Sequence, residues 1–496
     1  LNDKVIVRKH NEVFLKIDCE QSVAYELSEY FTFFVPGYKF TPAYRNKLWD
    51  GKIRLFNRQT RQIYHGLLDY IGTFAQERGY DIEYDDESLL KTNFSIQEAH
   101  EFAYSLNIHS RGKKLDVRDY QTIGFAKSIR NKRQLLLSPT ASGKSVIAYL
   151  IVRYLLSKGL RGLILVPTTS LVEQLYKDFE DYSSHNGWST EENVHRIYAG
   201  HDKDTEKTVT ISTWQSLYKL PKSYFKDFDF VIGDEAHLFK AKSLVTIMTN
   251  LETCGYRIGM TGTIDGTKTH KLVLEGVFGP VKKVISTAEL IERKQLAAFK
   301  IKALVLKYPA EVCKEVKEYT YQEEIDYIVR YQPRINFVVN LSLSLRGNTL
   351  LLFHFVDKHG KVLFQNLEQE CARVGRKCFL IYGDTDVEVR EAVRAITENE
   401  TNAIIVASDG TFSTGINIRN LHNIIFSSPS KSRIRTLQSI GRGLRIGENK
   451  EEAILYDLVD DLRYKKYENY VLRHFVERVA IYNDEKFPYK LYNIEL

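Results

Sequence analysis

Two tandem α/β lobes, each built on a parallel sheet and preceded by a small α+β domain, are the fold class that this sequence predicts. Three observations carry it. From about Asp116 onward, short apolar runs ("RQLLLS", "RGLILVP", "KTVTIST", "FDFVIGDE", "YRIGMTG") alternate with longer segments such as "GKSVIAYLIVRYLLSKG", whose apolar positions recur at three and four. Strand-length runs alternating with helix-length amphipathic segments are βαβ units, which build parallel sheets. A second series of the same kind follows ("NTLLLFHFV", "KCFLIYG", "NAIIVAS", "HNIIFSS", "EAILYDL"), and 496 residues suit about three domains better than one giant sheet. The first hundred residues lack this rhythm and read as a mixed domain.

In chain order, residues 1–100 form that small domain, with alternating apolar positions in "KVIVRKHNEVFLKID" and a helix near "SVAYELSEYFTFF". It contains the stretch "GYKFTPAYRNKLWDGKIRLFNRQTR", in which seven cations from Lys39 to Arg61 face one acid, Asp50, with Tyr38, Phe40, Tyr44, Trp49 and Phe56 threaded among them. Such a stretch is either an ordinary β-rich surface or a nucleic-acid contact. Trp49, just before Asp50-Gly51, reads as a turn anchor; Arg45, Lys47, Lys52 and Arg54 are the residues suited to phosphates. Residues 106–288 form the first lobe and 289–461 the second, with the changeover between Val281 and Tyr308. Residues 462–496 are expected to be a helical extension, a basic amphipathic helix that either packs on the second lobe or touches DNA.

Composition narrows the class. A hydrophobic fraction of 43% supports several packed cores, and a formal charge of +7 permits a polyanionic partner without demanding one. The five cysteines show no C-x-x-C spacing and the thirteen histidines no H-E-x-x-H pattern, so reduced thiols and no structural metal are expected. No apolar run approaches the length that spans a bilayer, and the charged start lacks the apolar core of a signal peptide. The chain reads as soluble and intracellular.

Two motifs in the first lobe carry chemistry. "LLLSPTASGKSVIAYL" ends a strand and opens a helix, and its tail Gly143-Lys144-Ser145 matches a phosphate-binding loop. There, backbone N–H groups face phosphates, Lys144 reaches the β/γ oxygens and Ser145 can ligate Mg²⁺. The strict pattern wants Gly where Ser138 stands. "FDFVIGDEAH" delivers Asp234 and Glu235 at the carboxyl end of a strand, where parallel sheets bind ligands. Asp234 suits the metal, and Glu235 suits orienting and deprotonating the attacking water. In the second lobe, "LQSIGRGLR" sets Arg442 and Arg445 three apart on one helical face, as candidates for an arginine finger.

In this order the motifs resemble the signature blocks of the superfamily 2 helicases of DEAH-box type, over roughly residues 120–460. "RDYQ" resembles the adenine-reading block, with Gln121 on the base and Arg118 nearby. "SPTASGKS", Ser138 to Ser145, resembles motif I, where a non-Gly first position is usual; Pro139, Thr140, Ala141, Ser142 and Gly143 would then line the nucleotide. "VPTTSLVEQ" and "ISTWQS" resemble strand-tracking motifs, "DEAH" motif II and "TGT" motif III, "LLFHF" motif IV, "SDGTFSTGINI" motif V and "QSIGRGLR" motif VI. The resemblance implies RecA-like lobes, ATP and Mg²⁺ as cofactors, nucleotide contacts from Gly415 and Asn417, a catalytic Gln438, and coupling through His237, Thr261 and Thr263. "GYKFTPAYRNKLWDGKIRLF", "TYQEEIDYIV" and the ending "YNDEKFPYKLYNIEL" are similar to the phage recombination helicases of the UvsW type. That similarity implies a DNA-binding role for the small domain and an ATP-driven motor on branched DNA: Holliday-junction branch migration, fork regression and D-loop or R-loop unwinding. It also implies branched duplex and single strand as partners, recombination or single-strand-binding proteins beside them, a monomer, and the host cytoplasm as location.

A motor indifferent to sequence holds phosphates with hydroxyls, backbone N–H groups and helix N-termini. Thr168, Thr169, Thr213, Gln215 and Thr411 follow strands and are DNA-contact candidates, or simply caps of the next helix. Trp214 either stacks a base or packs in the lobe. The rival functions are a duplex translocase that does not separate strands, an RNA helicase, and, in a different class, a non-hydrolysing nucleic-acid clamp or annealing factor.

Overall fold

The computed structural model describes residues 4–496 except 86–91, 140, 199–201, 204, 240, 265–266, 412–417, 419 and 429–451. The chain divides into two compact units, Leu1–Ser138 with Gly143–Val284, and Pro139–Ser142 with Ile285–Leu496.

The first unit holds two sheets. The N-terminal sheet has five strands in the order Phe56–Asn57, Gln62–Tyr64, Phe14–Asp18, Lys4–Lys9, Asp81–Tyr84; all pairs are antiparallel except the last, which is parallel. Alternate residues Val5, Val7, Leu15 and Ile17 turn inward, as a half-buried sheet requires, against Leu27 and Phe31 near the end of helix Gln21–Tyr30 and Ile71 and Phe74 of helix Leu68–Arg78. Helix Gln21–Tyr30 is shorter than "SVAYELSEYFTFF" suggested. Thr32–Phe34, a β-branched and aromatic run, forms a strand paired antiparallel with Lys52–Arg54 of the basic stretch.

The second sheet has seven strands, all parallel, in the order Val194–Ile197, Val209–Thr213, Gly162–Val166, Phe230–Gly233, Tyr256–Thr261, Arg133–Leu137, Val281–Lys283. Helices cover both faces, which is why Gly162–Val166 and Phe230–Gly233 are buried throughout and read as continuous apolar runs. Gly162 has a packing reason: a Cβ there would overlap the Phe230 ring on the next strand.

The small domain is built into this unit. Leu272 and Val273, from helix Lys268–Phe278, complete its core. Glu12 pairs with the buried Arg133, Tyr70 donates a 2.6 Å hydrogen bond to Glu275, and Gly66 lies so close to the Glu275 carbonyl that no side chain would fit. Burial alone would raise the Glu12 carboxyl, but Arg133 and Lys9 hold it below its ordinary value. His65 at the same junction is pushed down to about 2 by burial and by the Arg133 and Lys9 cations.

The second unit carries a seven-stranded parallel sheet in the order Cys378–Ile381, Ile404–Ser408, Thr349–Phe353, Asn423–Phe426, Glu452–Asp461, Ala298–Lys307, Tyr489–Glu495. Its last strand corrects the expected helical extension over 462–496. The helix runs only over Tyr470–Asp484, and Tyr489–Glu495 then joins the sheet beside Ala298–Lys307. Pro488 precedes that strand and its carbonyl accepts the Ile301 N–H. The helix begins late because its N-terminus is capped from elsewhere: the buried Glu324 carboxylate accepts the N–H groups of Tyr470 and Val471 at 3.0 and 2.8 Å. No helix among the described residues is long and apolar enough to cross a membrane.

Candidate active site

Strand Arg133–Leu137 runs into a loop and then helix Lys144–Ser157, so the first N–H groups of a long helix open where the loop ends. Ala141 and Gly143 both have positive φ (67° and 82°), a curl that turns successive N–H groups to one side. Glycine suits position 143 because its φ lies in the left-handed region, and the Gln121 amide lies where a Cβ would come. Gln121, the residue expected on the base, is buried directly against the loop, and its Oε1 accepts the N–H of the nearby Arg118 at 3.0 Å. The Arg118 guanidinium itself is turned to the Tyr120 hydroxyl, 2.7 Å away. Lys144 Nζ donates to the Ser138 carbonyl at 3.3 Å, and the Ser142 hydroxyl donates to the Pro139 carbonyl at 2.7 Å. Thr140 lies outside the described residues.

Ser145 has a partner that sequence reasoning missed. Its hydroxyl stands 2.8 Å from Tyr182 Oη, at the end of helix Thr169–Ser183. Tyr182 is buried and its hydroxyl is held well above the ordinary range, chiefly by burial. No spacing links positions 145 and 182; only the packing of the two helices does.

Strand Phe230–Gly233 ends at Asp234, whose carboxylate accepts the Glu235 N–H at 2.9 Å. Burial first, and the Glu235 charge second, raise the Asp234 carboxyl to about 6, against the pull of Lys144. Glu235 has φ 48°, an unfavourable value for a non-glycine residue and common where a side chain must be aimed. From it a chain of polar contacts leads inward. His237 Nδ1 lies 3.3 Å from Glu235 and 3.0 Å from the Thr261 hydroxyl, which donates to the Thr263 carbonyl at 2.9 Å. A threonine has one hydroxyl hydrogen, so His237 is the donor to Thr261. His237, Thr261 and Thr263, the three residues expected to serve in coupling, are thus in contact with one another. The like charges of Asp234 and Glu235, one of them desolvated, fit a divalent cation, which would relieve both burial and repulsion.

The expected strand contacts divide. Thr169 and Gln215 are exposed beyond the neighbouring strands Gly162–Val166 and Val209–Thr213, and Gln215 Nε2 donates to the Pro167 carbonyl at 3.4 Å. Thr168 caps its helix by accepting the Leu171 N–H, leaving its own hydrogen to donate outward. Thr213 is a different case: 6% exposed and paired with Ser216, it starts a helix and does not face the surface. Trp214 packs against the core rather than standing free.

In the second unit, a cleft of about 460 Å³ opens beyond the carboxyl ends of three neighbouring strands, with His354, Gly383, Arg390, Ser408, Asp409 and Thr411 in its wall. Thr411 is 7% exposed and accepts from the Ser408 hydroxyl at 2.8 Å; Arg390 donates to the Gly383 carbonyl at 2.7 Å. Gly415, Asn417, Gln438, Arg442 and Arg445 lie outside the described residues.

In the basic stretch, Arg45 and Lys47 are exposed, while Arg54 is ion-paired with Asp50 and Lys52 lies 5.0 Å over the Phe34 ring. Both partners of the Arg54–Asp50 pair are about half exposed, so the pair lies at the surface. Trp49 anchors the turn, its Nε1–H donating to the Lys52 carbonyl at 2.9 Å.

Known proteins are similar to this chain in sequence and fold. The family profile "DNA helicase UvsW, N-terminal" matches residues 4–85, "Type III restriction enzyme, res subunit" residues 114–266, and "Helicase conserved C-terminal domain" residues 333–447. The chain is 34% identical over 509 aligned positions, covering 99% of both proteins, to the ATP-dependent DNA helicase uvsW of Enterobacteria phage T4. The crystal structure of T4 UvsW matches over 99% of both chains with a TM-score of 0.54. The ATP-dependent Type ISP restriction-modification enzyme LlaBIII bound to DNA, at 18% identity and a TM-score of 0.56, matches 78% of this chain and 32% of its own, and shares the fold. A Gly-Lys-Ser loop and an acidic strand end in one unit, with relatedness over the whole chain, lead to one conclusion: this chain belongs to the UvsW family of ATP-dependent DNA helicases.

Proposed function

We propose that this helicase drives branched DNA, migrating Holliday junctions, regressing forks and unwinding D-loops or R-loops. Relatedness to the phage T4 helicase over the whole chain supports the substrate, and the contacts running from Asp234 and Glu235 past His237 to Thr261 and Thr263 support the coupling of ATP chemistry to the next strand end. The helix N-terminus at Gly143 and Lys144 holds the β and γ phosphates. Ser145 and Asp234 would hold Mg²⁺, which when bound neutralises charge on the phosphates. Glu235 orients the attacking water and takes its proton, and Arg442 or Arg445 stabilises charge on the γ-phosphate. Thr168, Thr169 and Gln215 grip the tracked strand, with Thr411 its counterpart in the second unit.

Lys144→Ala and Glu235→Gln should each abolish DNA-stimulated ATP hydrolysis while DNA binding persists; turnover at the wild-type rate in either would remove the site assignment. Arg442→Ala or Arg445→Ala should keep ATP binding and lose hydrolysis. The substrate is tested by comparing unwinding of four-way junctions, forks, linear duplex and RNA, and equal activity on junction and linear duplex counts against the branched-DNA reading. The match of residues 114–266 to a restriction-enzyme motor subunit favours a second reading, a duplex translocase that does not separate strands. Displacement of a third strand from a triplex without unwinding would select it.

A further inference from the structure

The most exposed large apolar side chains among the described residues are Leu48, at 80%, and Phe40, at 76%. Both sit on one short segment of the small domain, and that segment is rigid. Tyr38 is its centre: it stacks on Phe34 at 4.8 Å, meets Tyr44 edge-on at 4.8 Å, and covers Gly51 so closely that a Cβ there would strike the ring. Thr41 caps the turn Pro42–Arg45, the Leu48 N–H donates to the Ala43 carbonyl, the Val35 N–H donates to the Gly51 carbonyl, and Trp49 closes the far side on Lys52. The aromatics that could have formed a core for Phe40 and Leu48 are used to hold them out.

The surroundings state what they meet. From Val35 to Trp49 there is no acid, and Lys39, Arg45 and Lys47 are exposed in the same segment as the two apolar tips; the nearest acid in sequence, Asp50, is ion-paired with Arg54. Isolated apolar side chains on a surface need no explanation, but a pair held rigidly within a wholly cationic segment does. Cations draw in phosphates, and apolar tips among them suit the faces of bases that have lost their stacking partners. A flat duplex surface offers no such faces; the end of a duplex at a branch does.

We infer that Phe40 and Leu48 form a wedge that enters the base stack at a DNA branch point, with Lys39, Arg45 and Lys47 seating the flanking phosphates. The inference rests on the branched-DNA reading and names the residues that would meet the branch. Phe40→Ala/Leu48→Ala is the test, because both side chains are exposed and their loss leaves the packing around Tyr38 intact. With 2-aminopurine placed at the junction of a fork, binding of the wild-type chain without ATP should raise fluorescence as the base unstacks, and the double variant should not. Fork unwinding should fall about tenfold, within the range of losing a base–aromatic stack. ATPase on plain single strands should stay unchanged, and Phe40→Trp should restore the fluorescence. A wild-type chain that prefers forks, with the same fluorescence rise and unwinding in the double variant, overturns the wedge and leaves the surface to an acidic protein partner. A wild-type chain with neither fork preference nor fluorescence rise overturns the wedge together with the branched-DNA reading.

Discussion

The hydroxyl of Ser145 is where motif and structure diverge most usefully. The resemblance to motif I implies a metal ligand there, yet its hydrogen-bond partner is Tyr182, buried at the end of the helix that Thr168 begins. Tyr182→Phe leaves the packing and frees the serine to rotate. An ordinary hydrogen bond is worth about 1 kcal/mol, so the Mg²⁺ concentration for half-maximal ATPase should shift by about fivefold with little change in thermal stability. An unaltered Mg²⁺ titration would show Tyr182 to be packing alone. Asp234 supplies a pH test. Its carboxyl titrates near 6, raised by burial and by Glu235, so a proton competes with the cation below that pH. Half-saturation by Mg²⁺, read by fluorescence of a bound nucleotide analogue, should rise about tenfold from pH 7 to pH 5. A flat profile would mean that Asp234 is already ionised without metal.

Among the elements, the sheet of the second unit is braced by a buried ion pair that no motif announces. Arg334, in helix Gln332–Ser344, donates to Asp460 at 2.6 and 3.0 Å and to the Ser427 carbonyl, and Tyr308 donates to the same carboxylate. Both charges are wholly buried, so removing one partner strands the other; Asp460→Ala should cost about 3–5 kcal/mol in urea unfolding. Buried histidines set the acid limit. His65 and His359 are pushed down to about 2 and about 3, mainly by burial, so the folded state refuses protons that the unfolded chain accepts near 6.5. Stability is full above that pH and falls below it, by up to about 1.4 kcal/mol per pH unit for each site. The small domain's junction with the first parallel sheet, where His65 lies, should therefore loosen in acid, and hydrogen exchange at pH 5 should rise in Phe14–Asp18 and Gln62–Tyr64 first. Uniform exchange across the first unit would place the acid-sensitive group elsewhere.

For the whole molecule, the small domain cannot be treated as a removable module. Deleting residues 1–100 uncovers Leu272 and Val273 and leaves Arg133 buried without Glu12. The shortened chain should aggregate or lose several degrees in melting temperature, and the domain's part in DNA recognition is better read from surface substitutions than from truncation. A deletion variant that melts like the full chain would show the two parts to be independent.

The sequence alone determined the βαβ rhythm, both parallel sheets, the phosphate loop and the acidic strand end, because each depends on local periodicity or on residues close together in the chain. The Trp49 turn was legible for the same reason. Tertiary structure decided everything that joins distant positions. Tyr489–Glu495 became a strand because an edge beside Ala298–Lys307 was there to pair, Arg54 lost its freedom to Asp50, and Thr213 turned inward. Ser145 met Tyr182, and Phe40 and Leu48 stayed exposed while Tyr38 packed on Phe34 and Tyr44. Hydrogen bonding and burial act through space, and a linear pattern records only those partners that the fold happens to keep near in sequence.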